Sequence, residues 1–146
     1  MTVVFIIVSL VIIGLAVSYQ TLDFELPLPY RSRHCRGKDW KTQFPDASKK
    51  DIRRFLGCLA ESMDFNDNDK LKFSPTDKLI DIYQSIYGGK TPFCDGCECE
   101  MFSELLSKEF DIPIEKVANA WSTGEFTLSE AFLLTQSSKH GGNLHV

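Results

Sequence analysis

Residues 95–110 read DGCECEMFSELLSKEF, and the fold turns on how this stretch is understood. Met101, Phe102, Leu105 and Leu106 recur at the spacing of one apolar helix face, with Glu100 and Glu104 four apart on another. Asp95 and Glu98 stand in the first turn, where the helix dipole favours negative charge. The spacing predicts a helix from about Asp95 to Phe110, interrupted by Pro113.

The neighbouring segments extend the helical pattern. Upstream, Ser48-Lys49-Lys50-Asp51 has the form of a capping box, with Asp in place of the preferred Glu. Ile52, Phe55, Leu56, Leu59 and Met63 then predict a helix ending near Asp64. The polar stretch Asp64–Lys70 has the composition of a calcium loop but not its spacing. Neither the register from Asp64 nor that from Asp67 supplies the required Gly at the sixth position or Glu at the twelfth, so a polar loop is expected. Ser74-Pro75 predicts the start of a second helix, carrying Leu79, Ile80, Tyr83, Ile86 and Tyr87 and stopped by Gly88-Gly89. Downstream, Ile112, Ile114, Val117 and Trp121 read as a half-buried connection. Thr127-Leu128-Ser129-Glu130 is a second capping box opening a last helix, and the tail from Ser137 is expected to fray. No repeat and no strand series is visible. The expectation is an all-α chain whose soluble part is a small antiparallel helical bundle.

The N-terminus differs in kind. Thr2 to Tyr19 carries no charge and is rich in Val, Ile, Leu and Phe, which predicts a membrane-spanning signal anchor. A cleaved signal peptide is the rival, because Ala16-Val17-Ser18 offers small residues, although no Lys or Arg opens the segment. Leu22–Tyr30 holds Pro27 and Pro29 and reads as a spacer. Arg31, Arg33, Arg36, Lys38 and Lys41 form a basic collar. The domain expectation is therefore anchor 1–20, spacer and collar 21–47, helical domain 48–138 and tail 139–146. Because Lys and Arg cluster on the cytoplasmic side of a span, the expected place is a bacterial-type inner (plasma) membrane, single-pass, with the domain in the cytoplasm. The collar would lie near anionic headgroups.

Net charge is −4, and from Thr42 onward 17 acidic residues face 11 basic ones. An acidic domain repels phosphate backbones, which argues against nucleic acid as a main partner. The five cysteines, Cys35, Cys58, Cys94, Cys97 and Cys99, are odd in number and clustered, which points to a reducing compartment. Cys94, Cys97 and Cys99 offer a C-x-x-C and a third thiolate. A zinc site needs a fourth ligand from Cys35, Cys58 or His34, and a redox role lacks the βαβ pattern of a thioredoxin-like protein. No catalytic motif is present, so no enzyme activity is expected.

From Ser48 to Ser138 the chain resembles acyl carrier proteins. Their signature is Asp-Ser-Leu at a helix start, then an acidic-apolar helix closed by Glu-Phe, an Ile-containing connection and a short helix opened by Thr. Asp95 matches the signature aspartate, Glu109 and Phe110 the closing pair, Ile112 and Ile114 the connection, and Thr127 the last helix start. The segment from Ser74 to Thr91 would be a longer, helical form of the family's connecting loop. The position of the serine that would carry phosphopantetheine is Gly96, which has no hydroxyl to esterify. The resemblance thus implies a degenerate carrier fold without loading, retaining an acidic helix for a basic patch on a partner protein: Asp95, Glu98, Glu100 and Glu104. The functional expectation is a membrane-tethered, non-enzymatic protein-interaction module without a cofactor, bound to the membrane through residues 2–19. A cysteine-cluster metal or redox protein, with zinc on Cys94, Cys97 and Cys99, and an exported protein with a cleaved signal remain open.

Overall fold

The computed structural model describes residues 25–88, 96–121 and 124–141, and every regular element among them is helical. The expected span 2–19 lies outside these residues. Among the described residues, no helix is long and apolar enough to cross a membrane.

Six α-helices follow in order: α1 (Gly37–Gln43), α2 (Lys49–Ser62), α3 (Leu79–Tyr87), α4 (Cys97–Phe110), α5 (Ile114–Trp121) and α6 (Leu128–Gly141). Short 3-10 turns at Tyr30–Ser32 and Asp67–Lys72 precede α1 and α3. Helix α2 starts as its sequence dictates. The Ser48 hydroxyl oxygen accepts the Asp51 backbone N–H at 3.0 Å, satisfying one donor that the first turn leaves without an intrahelical partner. Its buried residues Ile52, Phe55, Leu56 and Leu59 form one stripe, packed against α4 and the second 3-10 turn. At its end Asp64 takes a left-handed φ of 57°, which Asp tolerates better than most residues. Helix α6 is capped by the second box: Thr127 Oγ1 accepts from the Glu130 N–H at 3.3 Å, and the Glu130 carboxylate accepts from the Thr127 N–H at 2.8 Å. The Thr127 N–H, together with the Thr127 hydroxyl that donates to the same carboxylate at 2.8 Å, holds the Glu130 carboxyl below its usual range. Helices α5 and α6 both pack on α4.

The structure departs from the sequence reading in four places. Residues 25–47, expected as spacer and collar, are folded into the core. Leu26 and Tyr30 are buried, and Trp40 is fully enclosed, its indole N–H donating to the Phe73 carbonyl at 2.9 Å. The Trp40 ring stacks on Phe44 and meets Phe55 tilted and Phe132 edge-on, at ring centroid distances of 5.9, 5.8 and 5.6 Å. Apolar residues scattered singly among charges lack the periodicity that marks a helix face, so the stretch reads as polar.

The second departure is the start of α3 at Leu79 rather than at Ser74. Residues Ser74–Asp77 form a turn in which the Asp77 carboxylate accepts the Ser74 N–H at 2.7 Å. The following backbone pairs across the molecule, Leu79 N–H to the Phe126 carbonyl at 3.0 Å and Leu128 N–H to the Asp77 carbonyl at 2.9 Å. This isolated antiparallel bridge, Lys78 with Thr127, joins the starts of α3 and α6. Asp77 also receives both bonds of the Arg33 guanidinium at 2.8 and 2.7 Å, tying the N-terminal segment to the same turn. Third, the expected connection after Pro113 is the two-turn helix α5, anchored by fully buried Val117. Fourth, α6 extends into the start of the expected 139–146 tail, to Gly141, beyond which the residues are not described.

Candidate functional site

Helix α4 carries the residues that the sequence singled out. Gly96 is its N-cap in an extended conformation, without a side-chain cap. The helix buries Cys99, Phe102, Ser103, Leu106 and Phe110, while Glu100 and Glu104 point to solvent. Met101, expected on the inner face, is 44 % exposed. The inward stripe is centred on Phe102 and Leu106, and the small Cys99 takes the position on it that Met101 was expected to fill. Asp95 and Cys94 lie outside the described residues.

Glu98 is drawn into a contact of its own. Its carboxylate accepts a very short hydrogen bond from the Tyr87 hydroxyl at the end of α3. That bond, with burial and the carboxylate's charge behind it, pushes the Tyr87 phenol up to about 12. Tyr83, one turn earlier and buried, has its ring 4.8 Å from that of Tyr87. The Tyr83 hydroxyl presses on Gly96: a β-carbon there would stand 2.7 Å from it and would also meet the Glu98 carboxylate. Gly96 has no hydroxyl to esterify, and any side chain there would have to displace the Tyr83 hydroxyl and the Glu98 carboxylate.

Beside this junction lies a groove of about 490 Å³. Its apolar surface comes from Met63 and Phe65 after α2, Ile86 and Tyr87 of α3, and Met101 of α4. Four carboxylates rim it: Glu25, Glu61, Asp64 and Glu98, with no Lys or Arg in the lining. Glu25 pairs with exposed Arg31 at 2.8 Å. Exposed Met101 and Tyr87 give such a surface side chains that can repack around an apolar guest, over buried Met63. A second, more polar depression of about 550 Å³ lies over α2 and α4, where the Arg54–Glu109 ion pair closes at 2.6 Å. The Arg54 guanidinium also sits 5.2 Å from the centre of the Phe110 ring.

Of the predicted set, Glu98 lines the groove, whereas Glu100 and Glu104 stand exposed on α4. Sequence reasoning missed Glu25, Glu61, Asp64, Met63 and Tyr87. The exposure of Tyr87 and Met101 had no signal in the sequence, because both occupy positions of apolar periodicity.

The cysteines are sorted by the fold. Cys35 and Cys97 are exposed free thiols and Cys58 is a buried one. Burial, with Glu109 and Glu61 nearby, pushes the Cys58 thiol up to about 11. Cys99 is buried and disulfide-bonded, which takes its sulfur out of any thiolate ligand set with Cys97. Among the described residues, no group of three His, Cys, Asp or Glu side chains is arranged to hold a metal ion. Compared with protein-family models, with curated proteins and with solved structures, the chain gives no match, so the reading of this site rests on its own residues.

Proposed function

We propose that the chain is a membrane-tethered, non-enzymatic protein-interaction module with a degenerate acyl-carrier-like fold, whose groove at the start of α4 receives a basic, apolar segment of a partner protein. The observation that carries this reading is the groove's composition. Apolar side chains line it, and all four charged groups at its edge are carboxylates. An apolar segment flanked by Lys or Arg would bury its hydrophobic side chains there and bring cations to the rim, where complementary charge favours encounter and suppresses acidic competitors. Tethering through residues 2–19 would raise the effective concentration of the module near membrane-bound partners. Glu100 and Glu104, exposed on the same helix, extend the acidic surface beyond the groove. No phosphopantetheine is expected on Gly96.

A test uses two fluorescent amphipathic peptides, one of Leu and Lys and one of Leu and Glu, with the full chain in neutral micelles. The Lys peptide should bind in a salt-sensitive way and the Glu peptide should not. Glu61→Gln with Asp64→Asn should weaken the Lys peptide several-fold. Equal binding of both peptides, or indifference to the two substitutions, sinks the reading.

The disulfide at Cys99 favours a second reading of location. Disulfides persist on oxidising sides of membranes, which supports an exported or outward-facing domain, whereas the basic residues after the apolar run support a cytoplasmic one. Labelling intact cells with an impermeant maleimide separates the two, since exposed Cys35 and Cys97 react in intact cells only if the domain faces outward.

A further inference from the structure

The collar of five cations does not stay together in the fold. Three of its arginines are taken up by carboxylates of the domain: Arg31 by Glu25 at 2.8 Å, Arg33 by Asp77 at 2.7 Å and Arg36 by Asp39 at 3.6 Å. The two lysines, Lys38 and Lys41 of α1, instead meet Lys49 and Arg53 from the first turns of α2. Together they surround a depression of about 360 Å³ that includes Ile52 and Leu71. Lys41 is held by the Pro45 and Ala47 carbonyls, both at 2.8 Å, which fixes its charge at the rim. Among the described residues, Lys38, Lys49 and Arg53 enter no ion pair, and no carboxylate lines the depression.

We infer that this depression is a docking surface for anionic phospholipid headgroups, made by Lys38, Lys41, Lys49 and Arg53. Among the described residues four cations converge with no carboxylate in the lining, and the apolar floor suits the glycerol and upper acyl region beneath a phosphate. The bilayer is within reach if residues 2–19 span it, because only a few residues separate that run from Glu25, the first described residue. That clause rests on the tethering proposed above; the charge arrangement does not. The acidic groove, which contains Glu25, Glu61, Asp64 and Glu98, is a separate surface, so one molecule has a face for anionic lipid and another for a basic partner.

Cys35 lines the cationic depression as an exposed free thiol, and Cys97 lines the acidic groove, so the protein carries its own reporters. The full chain is incorporated in vesicles of phosphatidylcholine alone or with one third phosphatidylglycerol. The rates of Cys35 and Cys97 modification by an uncharged, water-soluble maleimide are then compared. Docking predicts that phosphatidylglycerol slows Cys35 relative to Cys97 by about five-fold or more, and that 1 M salt, with a screening length of about 3 Å, removes the difference. Lys49→Gln with Arg53→Gln should weaken the contact roughly 30-fold, from the usual worth of two cations at an anionic surface, and return Cys35 to its neutral-vesicle rate. Arg36→Gln should leave the protection in place.

A Cys35 rate unchanged by phosphatidylglycerol overturns the inference. So does protection in neutral vesicles that grows with protein density, which would assign the depression to the acidic groove of a second copy. Flotation with neutral vesicles reads the tether independently. If the chain fails to float, the anchor reading falls, and the same rates measured on added anionic vesicles still decide the docking surface.

Discussion

Replacing Trp40 by Phe tests whether residues 25–47 are a folded part of the core or the spacer that their composition resembles. Trp40 is fully enclosed, and its indole N–H is bonded to the buried Phe73 carbonyl at 2.9 Å. Phe has no donor. Leaving that carbonyl unpaired costs about 1–3 kcal/mol, and the smaller ring leaves space beside Phe44, Phe55 and Phe132 worth about 1–2 kcal/mol more. The combined effect is about 3 kcal/mol, a large part of the ~5–15 kcal/mol that holds a domain together. With a urea dependence of about 1.5 kcal/mol per molar, the unfolding midpoint should fall by roughly 2 M with little change in slope. The assay is urea unfolding of the full chain in mild neutral detergent, followed by helical circular dichroism. Thr42→Ala, at an exposed position two residues along α1, is the control and should shift the midpoint hardly at all. If Trp40→Phe behaves like Thr42→Ala, the packing of α1 against α2 and α6 is wrong.

Three further outcomes follow from named contacts. In the native, unreduced protein Cys35 and Cys97 should react with maleimide within minutes, Cys58 only on unfolding, and Cys99 only after reduction as well, as read by peptide mass spectrometry. Burial, reinforced by Asp77 and opposed by Arg33, pushes the Tyr30 phenol up to about 12, against an unfolded value near 10. Below pH 10 both states keep the proton; between about pH 10 and 12 the unfolded chain alone releases it. Stability should therefore fall as pH rises through that window, by up to roughly 2–3 kcal/mol, and less so in Tyr30→Phe. Gly96→Ser should lower stability by about 1–3 kcal/mol, because its β-carbon meets Tyr83 and Glu98. A phosphopantetheinyl transferase should add no mass to that variant; a gain would show that Tyr83 yields and that the site is open.

The helices were largely legible because their signals are local. Ser48 with Asp51 and Thr127 with Glu130 act within four residues, and the left-handed stop at Gly88 is a property of one residue. Apolar periodicity located α2 and α4 almost to the residue for the same reason. Glu98 was legible as a candidate from its place in a first turn, yet its engagement with Tyr87 was not, because the two meet only when α3 and α4 pack.

What the sequence by itself determined is that the described chain is helical and where most of its helices lie, since 3.6-residue periodicity and capping are written in neighbouring residues. Only the tertiary structure decided the rest. Trp40 became core because Phe73, 33 residues away, supplies the acceptor that its buried N–H requires. Helix α3 began at Leu79 because the backbone before it pairs with residues 126–128 instead. The two grooves of opposite charge exist for the same reason. The acidic one gathers carboxylates from Glu25 to Glu98, the cationic one sets the lysines of α1 beside the start of α2, and whether a charge is neutralised or left facing solvent depends on which partner the fold brings within reach.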